Sequence, residues 1–199
     1  KATGRAVRVQ GTRMDGTAWD PKGPACVHRA RAAIDANGKV VAYEFVAKGF
    51  SRVHISTNES DPADSLVGQS TGIPPKPVPG FGTPGESYGF GNKLLAWETI
   101  APLVASCSPL RTAHLRDPVG PEIHFGSEQF IDELAAAVGE DAVAFRLKYL
   151  THARHLAVVR AAAEKAGWQA RVSGTQPRAG NVLRGRGIAF ADRNGIAVA

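Results

Sequence analysis

The side chains best able to do chemistry here are six histidines, two cysteines, a set of carboxylates between 122 and 133, and one arginine on a proline–glycine turn. His152 and His155 stand three apart near the start of a helical pattern, so they share a face. Zinc would need a third ligand and an orienting partner, which the spacing does not supply. They read, like His28, His54, His114 and His124, as surface histidines. Cys26 and Cys107 lack a Cys-x-x-Cys pair, so they give no zinc or iron–sulfur signature and read as buried or incidental thiols. A bridge between them has no support from the sequence. Glu122, Glu128, Asp132 and Glu133 are of the right type for paired acid–base work. Carboxylates in a first helical turn are also what the helix dipole favours, and that structural role is the expected one. No Gly-x-Ser-x-Gly elbow is present, which argues against a hydrolase triad. Arg116 lies in Leu115-Arg116-Asp117-Pro118-Val119-Gly120-Pro121. An arginine on a turn that leads into a helix is well placed to hold an anion, although spacing alone still favours a plain surface arginine.

These residues need elements to hold them. Ala6-Val7-Arg8-Val9-Gln10 alternates as a half-buried strand does, and Asp15-Gly16 and Asp20-Pro21-Lys22-Gly23-Pro24 carry turn chemistry. The clearest hairpin runs from about Val27 to Ile34, turns through Asp35-Ala36-Asn37-Gly38-Lys39, and returns over Val40 to Ala47. Val41, Tyr43 and Phe45 alternate with Ala42, Glu44 and Val46, so both faces of the return strand are expected to be covered. Residues 58–91 form a Pro/Gly-rich connection. Within it, Gly80-Phe81-Gly82 and Gly89-Phe90-Gly91 lack phosphate-loop spacing and read as turns around a packed aromatic.

Beyond the connection the pattern turns helical. Ser127 is the expected cap of a first helix, with Phe130, Ile131, Leu134, Ala135 and Val138 inward and Gly139 as the stop. Asp141 opens a second, with Val143, Leu147 and Leu150 inward. A third covers about 153–166, with Leu156, Val159, Ala163 and Ala166 inward and Gly167 ending it. Strand-like runs follow at Gly187–Ala191 and Gly195–Ala199. The expected class is α+β: twisted strands with a hairpin, a long loop, then amphipathic helices and a further strand.

The composition is that of an ordinary globular chain: 199 residues, 43% hydrophobic and 21% charged. No apolar run approaches the roughly 20 residues of a membrane span. The net charge of +6 is spread along the chain, without a Lys/Arg block or a basic helix with interleaved aromatics, which argues against nucleic acid as a partner. The many arginines suit contact with a phosphate-bearing cofactor or an acidic neighbouring surface.

Several motifs recur in a telling order. They are Thr3-Gly4-Arg5-Ala6-Val7-Arg8-Val9, Leu115-Arg116-Asp117-Pro118, Phe125-Gly126-Ser127-Glu128-Gln129-Phe130-Ile131-Asp132-Glu133-Leu134-Ala135 and Gly139-Glu140-Asp141-Ala142-Val143-Ala144-Phe145-Arg146. With Gly167-Trp168 and Gly185-Arg186-Gly187-Ile188-Ala189, they resemble the molybdopterin-binding large subunit of the xanthine dehydrogenase and aldehyde oxidase family. Trp19-Asp20-Pro21-Lys22-Gly23-Pro24-Ala25 is similar to the isoquinoline 1-oxidoreductase and nicotinate dehydrogenase branch. The resemblance implies an internal segment. Residues 1–57 would end a first molybdopterin-binding subdomain, 58–91 connect, and 92–199 start the second.

The resemblance also implies a reaction: oxidation of a small N-heteroaromatic or aldehyde with water as the oxygen source. The cofactor would be molybdenum–molybdopterin, including its cytosine dinucleotide form. Electrons would pass to [2Fe-2S] clusters on a partner iron–sulfur subunit. Arg116 matches the arginine beside the cofactor. Pro118 stands where many members place a phenylalanine against substrate. The family's glycine-rich loop and catalytic glutamate have no match, so both ends read as interrupted and no catalytic residue is expected within the segment, which alone would be inactive. The alternative is a non-catalytic scaffold or a module that contacts other subunits. The compartment, cytoplasmic or periplasmic, is left open.

Overall fold

The computed structural model describes residues 4–20, 23–51, 61, 68, 71–73, 87–101, 112–113, 120–172, 180–182, 185–193 and 195–199. The fold is mixed α+β, with a three-stranded sheet ordered β1-β2-β3, a two-stranded sheet, and helices. Strands β1 (Cys26–Ile34) and β2 (Val40–Phe50) form the expected hairpin. Asp35 builds its turn: one carboxylate oxygen accepts the backbone N–H groups of Asn37 and Lys39, each at 2.9 Å. Pairing runs from Cys26↔Gly49 to Ile34↔Val40, with a register shift between Ala33 and Ile34. Strand β3 (Lys93–Ile100) lies parallel to β2 on its other side, from Tyr43↔Lys93 to Phe50↔Ile100.

Alternation along β2 assigns its faces. Tyr43, Phe45 and Ala47 are all buried, and Ala30 and Ala32 of β1 lie beside them in the core. The opposite face carries ion pairs instead of a second core. Arg31 donates from Nε and Nη2 to the two oxygens of Glu44, each at 2.8 Å, and Lys48 donates to Glu98 at 2.6 Å. The outer face is thus half-covered by charged side chains, not packed.

Helix α2 (Gly120–Ala137) crosses the core face. Ile123, Ser127, Ile131, Leu134 and Ala135 form its buried stripe at helical spacing. Ser127 is therefore not a cap. It is a buried mid-helix residue, and the helix starts at Gly120 with Pro121, whose missing N–H costs nothing in a first turn. Gly139 ends the segment at φ +72°, and the Glu140 N–H reaches back to the Ala135 carbonyl at 2.9 Å.

Helix α3 (Ala142–Tyr149) opens on Asp141, whose Oδ1 accepts the N–H groups of Val143 and Ala144 at 2.9 and 3.0 Å. Helix α4 (Ala153–Lys165) is capped by the ring of His152, which accepts the Arg154 N–H at 3.2 Å. Val159 is its fully buried residue, whereas Ala166 is exposed. Strands β4 (Ala191–Arg193) and β5 (Ile196–Val198) pair antiparallel.

Three further segments differ from what their local pattern predicts. Ala6–Gln10 forms no strand and is exposed throughout, with Val9 at 92%: alternation alone does not make a strand, and among the described residues no strand pairs with this segment. Asp15-Gly16 lies inside a short helix, α1 (Arg13–Trp19), because Thr12 and Asp15 form a capping box that outweighs the turn chemistry. Residues Gly187–Phe190 are extended, but strand pairing begins only at Ala191.

The core joins sheet and helices through rings. Phe90 stacks on Tyr43 and tilts against Tyr149, both with centroids 4.8 Å apart, which bears out a packed aromatic in the Gly89-Phe90-Gly91 turn. Gly80-Phe81-Gly82 lies outside the described residues. The Tyr149 hydroxyl accepts the Val40 N–H at 2.8 Å, tying α3 to the start of β2. Among the described residues no helix is long and apolar enough to cross a membrane.

Candidate functional site

The most constrained polar group in the described core is Glu128, on the face of α2 that meets α3 and the segment before β4. Its Oε1 accepts the Tyr88 hydroxyl at 3.0 Å. Its Oε2 accepts the Phe190 backbone N–H at 2.8 Å and Arg146 Nε–H at 3.0 Å. Arg146 is fully buried on α3. It also donates from Nη1 to Asp132 Oδ1 at 2.6 Å and to the Ala142 carbonyl at 3.1 Å. A buried guanidinium needs partners of this kind, since an unpaired internal charge is costly. Burial opposes the Arg146 charge, but Tyr88, Glu128 and Asp132 around it outweigh that and hold its pKa above the usual value.

This geometry revises the reading of the carboxylates. Only Glu122 lies in the first turn of α2, so the helix dipole does not account for Glu128 or Asp132, and Glu133 is exposed. Glu128 has both oxygens engaged by donors, which suits it to hold structure in place.

Glu128 and Asp132 also floor a groove of about 400 Å³. One wall is the N-terminal part of α2, with Pro121, His124 and Phe125, and the other is the extended segment through Ile188 and Ala189. Phe125 is 70% exposed at the rim. Burial pushes the His124 ring below its ordinary pKa, and the Glu128 charge only partly offsets this. The groove therefore combines apolar surface from Pro121, Phe125 and Ile188 with an imidazole and the polar side chains of Glu128, Gln129 and Asp132.

A second cluster lies where α2 crosses β1. Cys26 Sγ is 3.1 Å from His28 Nε2, and the His28 ring stacks on Phe45 at 5.2 Å. Burial, helped by the Glu122 charge, raises the Cys26 thiol above its usual pKa, so it is a poor nucleophile. Burial lowers His28, against the opposing pull of the Glu122 backbone and carboxylate.

His152 and His155 do share a face, with rings 4.7 Å apart. His155 is no surface residue: its side chain is 14% exposed, packs on Phe190 and lies 3.7 Å from Asp192. Among the described residues no group of three or more His, Cys, Asp or Glu is arranged to hold a metal ion.

Arg116 and Pro118 lie outside the described residues, as do Cys107, His54 and His114. In the sequence Pro118 stands two positions before Gly120, where α2 begins. Sequence patterns alone gave no role to Tyr88, His124, Phe125 or Arg146. For Arg146 a signal existed: it falls among Val143, Phe145 and Tyr149 on a short helix, so a buried partner of opposite charge was required.

The chain matches no protein-family model. It is 34% identical to a nicotinate dehydrogenase subunit of Pseudomonas putida over an alignment that covers 96% of this chain and 15% of that protein. The chain thus spans a small part of the length of the curated relative it matches, and that relative is a subunit of an oxidoreductase.

Proposed function

We propose that this chain is part of the large subunit of a molybdenum hydroxylase that oxidises an N-heteroaromatic or aldehyde substrate with water as the oxygen source. The observation that carries the reading is the 34% identity to a nicotinate dehydrogenase subunit over 96% of the chain. It agrees with the order of motifs around Arg116 and does not favour a purely scaffolding role. In the full-length protein the molybdenum–pterin group would supply the redox chemistry, and [2Fe-2S] clusters on a partner subunit would take the electrons.

The groove is the feature that fits such a role. Pro121, Phe125 and Ile188 offer apolar surface to a flat ring, and His124 offers a nitrogen at its edge. Arg116, just before α2, would hold the anionic part of the cofactor, and Pro118 would face the substrate. The direct test is metal and pterin analysis of the intact gene product, together with a nicotinate oxidation assay. Molybdenum and pterin in stoichiometric amounts, with turnover of a heteroaromatic or an aldehyde, are expected. Purified protein that assembles with its partner subunits yet carries neither molybdenum nor pterin overturns the reading.

A further inference from the structure

We infer that Glu128 is the positioning residue of the groove: it fixes the 187–190 wall against α2 and so sets the width of the opening. Four observations converge. Glu128 lines the groove itself. Its Oε2 takes the Phe190 N–H at 2.8 Å, so the backbone that follows Ile188 and Ala189 is pinned to α2 by a charged hydrogen bond. The same oxygen takes Arg146 Nε–H at 3.0 Å, so a swing of the carboxylate toward the groove would strip the buried guanidinium of this bond and leave Asp132, at 2.6 Å, as its remaining carboxylate partner. The Tyr88 hydroxyl, 3.0 Å from Oε1, closes the remaining side.

Strand pairing does not hold this wall. Residues 187–190 belong to no strand, and the ladder begins only at Ala191. The Phe190 ring is buried beneath the wall against His155, which anchors the side chain, and upstream of the wall the Arg186 carbonyl accepts from Arg171 at 2.9 Å. Between Arg186 and β4 the main chain is held at the Phe190 amide, and that amide is held by Glu128. The geometric part of the inference stands on this chain alone. Its consequence for substrate rests on the oxidoreductase reading above.

The test uses the intact protein and three variants. Glu128→Gln keeps a side-chain oxygen for the Phe190 N–H. Glu128→Leu combined with Arg146→Met replaces the buried ion pair by apolar groups of similar size, which such sites often tolerate, while removing the acceptor. Glu128→Leu alone serves as the control for a buried arginine left with Asp132 as its carboxylate partner. Hydrogen exchange is read by mass spectrometry over 185–193 and over α4. The double variant is expected to exchange at least tenfold faster at 187–190 with α4 unchanged, and Glu128→Gln to stay within threefold of the parent.

If the holoenzyme turns over substrate, KM in the double variant rises at least fivefold while kcat stays within twofold. Unchanged protection at 187–190 in the double variant overturns the inference, as does an equal rise over α4, which would make Glu128 a general stabiliser. Failure of the molybdenum reading leaves the exchange result intact, so the two are separable.

Discussion

Gly126 of α2 lies so close to His28 of β1 that a β-carbon at 126 would sit 2.9 Å from the imidazole. Helix and hairpin meet at this crossing, and the absent side chain lets them approach. Gly126→Ala must push the ring or the helix away. The expected cost is about 1–3 kcal/mol, as for other overpacked interiors. Urea denaturation of the purified protein measures it, and Gly185→Ala, which meets nothing within 4 Å, is the matched control expected to have little effect.

Asp141 does more than cap α3. Its Oδ2 accepts Trp168 Nε1–H and the Arg171 N–H, both at 2.9 Å, so one carboxylate joins the start of α3 to the chain after α4. Burial alone would raise its pKa, but the hydrogen bonds from Arg171, Trp168, Ala144 and Val143 together hold it below the ordinary carboxylate value. A lowered native pKa contributes stability above the unfolded value and loses it as pH falls through the native one. Asp141→Ala should therefore cost about 2 kcal/mol at neutral pH, and the loss should shrink on acidification below the ordinary carboxylate range. Denaturation midpoints of parent and variant across that range check the sign.

His28 and His124 both sit below their usual pKa because of burial. As pH falls below about 6.5, the unfolded chain takes up protons that the folded chain resists, so stability drops. Above about pH 7.5 neither state is appreciably protonated and the two histidines contribute no slope. His124→Gln is expected to flatten the stability profile between about pH 7 and 5 without altering it above about pH 7.5. A profile as steep as the parent's would show that His124 takes no part in the acid response.

On the molybdenum-hydroxylase proposal, Arg116→Ala in the full-length protein is expected to lower bound molybdenum and pterin at least threefold, while the secondary structure seen by circular dichroism is kept. Cofactor content unchanged from the parent removes Arg116 from the pocket.

The hairpin and α3 were legible because their signals are local. Asn37-Gly38 between two apolar runs dictates a tight reversal, and Asp141 two residues ahead of Val143 is a cap by its own chemistry. The start of α2 was not legible. Ser127 has the side chain of a cap, and only the packing of α2 on the sheet reveals that it is buried mid-helix. Glu128 and Arg146 were visible as residues, but their pairing links neighbouring helices, and no spacing rule along one helix connects them. The groove was less legible still, since its far wall at 187–189 reaches α2 only through the tertiary fold. At Ala6–Gln10 the alternation is real but the segment has no paired neighbour among the described residues.

Strand β3 joins β2 in parallel, with residues 51–92 between them, while β1 joins β2 across a five-residue turn. The two seams of one sheet therefore form on different clocks. The hairpin closes on the microsecond scale, and the parallel seam waits for a distant stretch of chain to return. The entropy of that return grows only with the logarithm of the intervening length, about 0.6 kcal/mol for each doubling. The stretch can thus lengthen or shorten considerably between relatives while the sheet it interrupts keeps its register.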